Sequence, residues 1–331
     1  MLSRVADSIY WMSRCVERAE NVARFIDVNL TLTLDSPASF EQQWQPLINT
    51  TGDEELFAKR FGEATPQNTV YFLAFDLENP NSILSCIRGA RENARSIREV
   101  ISSEMWEELN TFYLAVKAEA ERPDVAELPH QFFAEVKRSS HLFNGVTDAT
   151  MSRTEGWHFL EMGRMLERAD KTSRILDVKY YILLRSLSEV GTPVDDLQWA
   201  AVLRSASAFE MYRKRHGRIT PNAIIDFLLL DPEFPRSVRY CLERARGSLH
   251  SITGTPIGSF RNLPEKLLGP LCSDLAFTNA EEINTVGLHQ YLDDLQTRVN
   301  QVGAGIFETF FASKTPKVTR RPVHTRIAQE H

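Results

Sequence analysis

The sequence predicts an all-α fold: an internally duplicated helical bundle, two repeats of about 150 residues packed as one continuous unit. Three observations predict it. Nearly every long segment carries apolar residues at helical period, and no alternating stretch bounded by hairpin turns appears. Shifting the chain by 155 residues aligns positions 43 to 97 without a gap, with 19 identities in 55 positions. Among them Gln43-Trp44 meets Gln198-Trp199, Thr65-Pro66 meets Thr220-Pro221, and Cys86, Ala90 and Arg91 meet Cys241, Ala245 and Arg246. Ordinary composition would give roughly three or four. Finally, Arg14-x-x-Glu-Arg-Ala-Glu-Asn reads against Arg164-x-x-Glu-Arg-Ala-Asp-Lys at an offset of 150.

The elements follow in order. A first helix is expected over 2–33, where Met12, Cys15, Ala19, Val22, Ala23 and Ile26 share one arc at about 100° per residue. Short helices follow over 39–50 and 53–62. Thr65-Pro66 then opens 66–76, a cap followed by proline at the first helical position. Asn79-Pro80 opens 80–101, and Ser103 with Glu107 behind it opens 103–121. Helix 129–146 ends the first copy, and 149–186 starts directly after it, so no flexible linker separates the halves. In the second copy 193–216 precedes 221–230, which Thr220-Pro221 opens, and Phe234-Pro235 opens 235–253. The longest clear loop, 253–263, leads to 263–277 and 280–312. A weak echo, His130-Gln131 against His289-Gln290, closes each half. The repeats are therefore placed at 1–148 and 149–312, with a tail over 313–331.

Composition narrows the function classes. The N-terminus lacks a signal peptide's apolar core, and no apolar run approaches the roughly 20 residues that span a bilayer. Four widely spaced cysteines, with no CxxC pair, predict a reduced cytoplasmic protein without a cysteine-based zinc site. The tail carries +4 of charge, so the remaining body carries −10 of the total −6, which argues against nucleic-acid binding. Low hydrophobicity with Pro316 and Pro322 predicts that the tail is disordered. The five tryptophans are expected as core anchors.

The motifs that carry chemistry are charged. On a helical projection Arg14, Glu17, Arg18, Asn21 and Arg24, with Glu20 in the same motif, form a stripe opposite the apolar arc. Arg164, Glu167, Arg168, Asp170, Lys171 and Arg174 repeat it, opposite Met162, Met165, Leu166, Ala169 and Leu176. Arginine forks bond carboxylate or phosphate bidentately, so one reading is a composite anion-binding cleft with a stripe from each half. The competing reading has two forms. Glu17–Arg14 and Glu17–Arg18 are ordinary in-helix ion pairs worth about 0.2–0.5 kcal/mol each, or the stripes form a buried salt lattice joining the halves. Tyr10 and Phe25 intrude on the charged arc, which suits a covered stripe. Helix 80–101 adds Arg88, Arg91, Glu92, Asn93 and Arg95. Its counterpart has Gly247-Ser248 where Glu92-Asn93 stand, so this cluster is the better single centre if one half kept its own task. Glu127-x-x-His130 and Glu155-x-x-His158 fit a di-iron spacing, but Pro129 breaks the first and Gly156 weakens the second. No metal and no cofactor are expected, since phosphate-cradling loops and nucleophile motifs are missing.

Several stretches together resemble the bacterial alpha-E domain family. They are Arg14-x-x-Glu17-Arg18-Ala-Glu20-Asn21, Ser82 to Arg95, Ser103 to Asn110, Gly163-Arg164-x-x-Glu167-Arg168-Ala-Asp170, and Phe234-Pro-Arg-Ser-Val238. The resemblance extends to about residue 312. It implies a helical companion of a circularly permuted ATP-grasp ligase and a transglutaminase-like cysteine peptidase, systems that make or modify amide bonds. On that basis the expected role is an accessory or binding protein whose Arg/Glu stripes hold a carboxylate- or phosphate-bearing ligand or the partner enzyme. One alternative is an enzyme with Glu17 or Glu92 as general base on an Arg-bound acid. Another is a structural scaffold or homo-oligomer, favoured if the lattice is buried and mutually saturated.

Overall fold

The computed structural model describes residues 1–34, 44–122, 130–183 and 192–312. Among these residues every regular element is helical: α1 (Ser3–Leu34), α2 (Trp44–Thr51), α3 (Glu54–Phe61), α4 (Pro66–Ala74), α5 (Ile83–Ser96), α6 (Ser103–Ala120), α7 (His130–Thr150), α8 (Glu155–Leu183), α9 (Pro193–Ser205), α10 (Phe209–Arg215), α11 (Pro221–Ile225), α12 (Val238–Thr253), α13 (Leu263–Phe277), α14 (Ala280–Val286) and α15 (Leu288–Ile306). Two π-helical turns, Asp226–Leu230 and Phe307–Phe311, continue α11 and α15. The tail over 313–331, the stretch 39–43 of an expected helix and Glu127 lie outside the described residues.

Capping chemistry sets the helix starts. Thr65 accepts from the Asn68 amide while the Asn68 side chain answers the Thr65 amide, a complete capping box. Thr220 caps α11 by accepting from the Ala223 amide, without the reciprocal bond. The prolines at 80 and 235 do not open helices. They sit in turns, and Ser82 and Ser237 cap the helices that follow. Ser102, rather than Ser103, caps α6 by accepting from the Met105 amide. The expected helix 193–216 is two elements, broken at Ser207, whose φ of 50° leaves the helical region. Likewise 280–312 breaks at Gly287, where φ is 98°.

Packing arranges these helices around one central pair. α1 packs along α8, α5 and α7, and α6 closes that group against α5 and α7. α8 packs along α12 and α15, and α13 closes the second group against both. The α1–α8 contact is therefore the seam between two four-helix groups. It is tight at one point: a Cβ added at Gly163 would stand 2.6 Å from the Tyr10 carbonyl oxygen and from Ser13 Oγ. The apolar arcs face into the two groups. Ile9, Met12, Ala19 and Ile26 of α1 are fully covered, as are Leu160, Met162 and Leu176 of α8. Burying each such large side chain contributes roughly 1.5–3 kcal/mol. Trp44, Trp157 and Trp199 are buried, while Trp11 and Trp106 pack at the core margin. Among the described residues, no helix is long and apolar enough to cross a membrane.

Candidate functional site

The charged stripes of α1 and α8 meet face to face at the seam. At the centre of the seam the two Glu-Arg motifs pair between the helices rather than along them. Glu167, 0% exposed, accepts from Arg18 Nε at 2.7 Å and Nη2 at 3.0 Å, and from Arg14 Nε at 2.8 Å. Reciprocally, Glu17, 1% exposed, accepts from Arg168 Nε at 2.9 Å and Nη2 at 2.7 Å. Each Glu-Arg dipeptide thus gives its carboxylate to the arginine of the other. The i,i+1 and i,i+3 pairs expected on the α1 surface are replaced by this exchange. A guanidinium pointing across the seam satisfies a carboxylate that no water reaches, and its fork does so with two bonds.

The lattice continues outward from this exchange. Asn21 Nδ2 donates to Glu17 Oε1 at 2.9 Å, and Arg236 Nη1 reaches the same oxygen at 3.2 Å. Arg236 also donates to Glu20, which Arg24 and Ser140 engage as well; His141 Nε2 lies 3.1 Å from the same carboxylate. On α8, Asp170 accepts from Arg174 Nε and Lys171 Nζ, both at 3.0 Å. Arg164 turns away from the exchange to Glu161, which also accepts from Arg244 at 3.2 Å. The outer N–H groups of the two exchanged arginines end on Asn81 Oδ1 and the Pro235 carbonyl.

Electrostatics fix the protonation states. Burial alone would raise the Glu17 carboxyl, but Arg168 and Arg236 override it and hold it below its ordinary value. Burial is likewise overridden at Glu167 by Arg18, Arg14 and Lys171, and at Glu20 by Arg236, His141 and Arg24; both lie well below the carboxylate range. Lys171 and Arg174 overcome burial at Asp170 and bring it to about 2. Burial pulls Arg236 down, with Arg168 and Arg24 beside it, despite Glu20 and Glu17. The seam thus holds ionised carboxylates under arginines. It is also cation-rich: Arg14, Arg18, Arg24, Arg164, Arg168, Lys171, Arg174 and Arg236 stand against Glu17, Glu20, Glu161, Glu167 and Asp170.

The second expected cluster lies apart, on the outer face of α5. Glu92, 45% exposed, pairs with Arg91 and Arg95. Arg91 also donates to Asn110 Oδ1 at 2.8 Å and stacks over Tyr113. Arg88 is exposed and Asn93 half-buried, and no recorded bond among the described residues ties this cluster to the seam. His130 Nδ1 lies 2.9 Å from Asp27 Oδ1, and His158 Nδ1 lies 3.5 Å from Ser248 Oγ. No group of three His, Cys, Asp or Glu among the described residues is placed to hold a metal.

Sequence reasoning missed Arg236, Glu161, His141, Ser140, Arg244 and Asn81 as lattice members. Arg236 had a signal, because it occupies the position of Asn81 in the 155-residue register, and both side chains reach the seam. Glu161 falls on Trp11 at the 150 offset, so identity matching passes over it.

One known family agrees with the all-helical fold. The family model described as Alpha-E, a predicted alpha-helical domain with a conserved ER motif, matches residues 1–311. This chain belongs to that family. Uncharacterized proteins of Mycobacterium bovis and of Mycobacterium tuberculosis strain CDC 1551 are each 26% identical to it over 92% of its length. A third, from Mycobacterium tuberculosis strain H37Rv, is 25% identical over the same share. The chain spans about a third, 35%, of the length of these curated relatives. No solved structure matches it.

Proposed function

We propose that this chain is an accessory scaffold for a peptide-ligating or peptide-modifying system, with an ATP-grasp ligase and a transglutaminase-like protein as partners. The observation that carries the scaffold reading is the exchange of Glu17 with Arg168 and Glu167 with Arg18. A general base must accept a proton from substrate, and it needs a lone pair within reach. Glu17 and Glu167 are covered, ionised and held by guanidiniums, which favours a lock over a base. Glu92 is accessible, but its oxygens are engaged by Arg91 and Arg95.

The lock joins two copies of one unit, 1–148 and 149–312. Matched pairs support this duplication beyond the aligned identities. Arg60 pairs with Asp76 as Arg215 pairs with Asp231. The Cys86 thiol donates to the Pro80 carbonyl as the Cys241 thiol donates to that of Pro235. His130 pairs with Asp27 as His289 pairs with Asp177. Ser13 and Gly163, which correspond at the 150 offset, touch at the seam where a pseudo-twofold axis would pass.

The partner half of the proposal draws on the family resemblance. It is also supported by relatives in which this unit occupies 35% of a longer chain and so lies beside other sequence. A cytoplasmic location accompanies it. The test is affinity purification from the native host together with stoichiometric co-expression of the ATP-grasp ligase encoded nearest to this chain. A complex that survives gel filtration is expected. Separate elution of the two proteins at micromolar concentration would refute the accessory role.

A further inference from the structure

A cavity of about 320 Å³ lies beside the seam, between α1, α8, α15 and the π-helical turn Phe307–Phe311. Its walls are largely apolar and aromatic: Tyr10, Trp11, Leu166, Phe307 and Phe311. One guanidinium, that of Arg14, breaks this surface. A cavity of this size, apolar with few polar groups, is the usual form of a small-molecule site. The π-helical turn that walls it is a deviation frequently found at functional positions. Gly303, on the α15 wall, leaves open the space in front of Arg14: a Cβ there would come within 3.9 Å of Arg14 Nη1.

Arg14 has capacity left for an anion. Its Nε donates to Glu167 and its Nη1 to the Tyr10 hydroxyl, while among the described residues Nη2 has no recorded protein acceptor. The guanidinium lies over Trp11 at 4.9 Å and Tyr10 at 5.5 Å, which holds its plane without consuming hydrogen bonds. Its counter-charge is shared. Among the described residues, Arg14, Arg18, Lys171 and Arg174 share two carboxylates in ion pairs, Glu167 and Asp170. The Arg14 side chain is 16% exposed, whereas Glu308, which also lines the cavity, is exposed. The covered charge of the cavity is therefore the cation and the solvated one the anion. A ligand with one negative charge suits the covered cation. A phosphate dianion suits it less, because Glu167 already touches the same arginine.

We propose that this cavity binds a small apolar carboxylate, its headgroup on Arg14 and its hydrocarbon body against Trp11, Phe307 and Phe311. The site does not rest on the accessory role: loss of a protein partner leaves it standing, and failure to bind a carboxylate leaves that role standing.

Isothermal titration calorimetry on the full chain tests it, with 3-phenylpropanoate as probe and the neutral 3-phenylpropanamide as its isostere. Saturable binding of the carboxylate is expected, with the amide at least about tenfold weaker because a charge-assisted bond is lost. Arg14→Gln should remove that preference. Should Arg14→Gln fail to fold, Ala304→Phe decides the matter, since Ala304 is exposed at the cavity wall and a phenyl group there fills the space. Ala304→Phe should abolish binding of both probes at an unchanged melting temperature. No saturable heat at millimolar probe, equal affinity for the amide, or undiminished binding to Ala304→Phe would each overturn the proposal.

Discussion

Replacing Glu167 by Gln keeps the shape of the side chain and removes one charge from the centre of the seam. Glu167 is fully covered and accepts three guanidinium hydrogen bonds between 2.7 and 3.0 Å, with Lys171 Nζ a further cation at 3.6 Å. In the variant, Arg14, Arg18 and Lys171 lose this carboxylate, and among the described residues Lys171 alone of the three keeps an ion pair, with Asp170. Breaking a buried pair from one side strands the partner charges and costs about 3–5 kcal/mol. Losing one of the arginines is milder. Arg18→Met leaves Glu167 with Arg14 and Lys171, so about 1–3 kcal/mol is expected. The exposed pair of Glu92 gives the control, where Glu92→Gln should stay within about 0.5 kcal/mol. Urea denaturation followed by circular dichroism measures all three. With total stabilities of about 5–15 kcal/mol, the ordering is resolvable. A Glu167→Gln variant no less stable than Glu92→Gln would refute the reasoning that the seam carboxylates are locking charges.

Three further outcomes are expected. Gly163→Ala should destabilise by about 1–3 kcal/mol in the same assay, because its methyl group would meet the Tyr10 carbonyl and Ser13 at 2.6 Å; a neutral result would mean the seam is looser than it stands. Glu17, Glu20, Glu167 and Asp170 have depressed values in the folded state, so their contribution is complete above the ordinary values, 4.5 for the glutamates and 3.8 for the aspartate, and is lost as pH falls through the folded ones. Unfolding free energy should therefore decline below about pH 4.5 and still be declining near pH 2, where Asp170 titrates, with a shallower acid limb in Glu167→Gln; an identical limb would contradict this. Burial raises the Cys241 and Cys272 thiols to about 12, so disulfide-exchange reagents should label them only at the rate of unfolding, and labelling within mixing time would show otherwise.

Much of this was legible because local signals and packing agree. The apolar arcs of α1 and α8 had to be buried, and the Thr-Pro caps had to start helices. Tyr10 and Phe25 within the charged arc foretold a covered stripe, and both are buried. What failed was local detail that competing turns control. Ser82 and Ser237 outcompete the prolines before them as helix starts, and Ser207 and Gly287 break runs whose apolar period continues across them. The direction of the ion pairs was not legible. Glu17 and Arg18 adjoin in sequence, but only the α1–α8 crossing turns each toward the other helix. Arg236 joins from 219 residues away, beyond any helical spacing rule.

A double-mutant cycle tests the reciprocal lock most directly. Arg18→Met and Glu167→Gln, singly and together, give the coupling across the seam; Arg18→Met and Glu17→Gln give the coupling along α1. The exchanged geometry predicts about 2 kcal/mol or more between Arg18 and Glu167, and no more than about 0.5 kcal/mol between Arg18 and Glu17. The reverse order would contradict it, placing the Glu-Arg pairs back on the surfaces of their own helices.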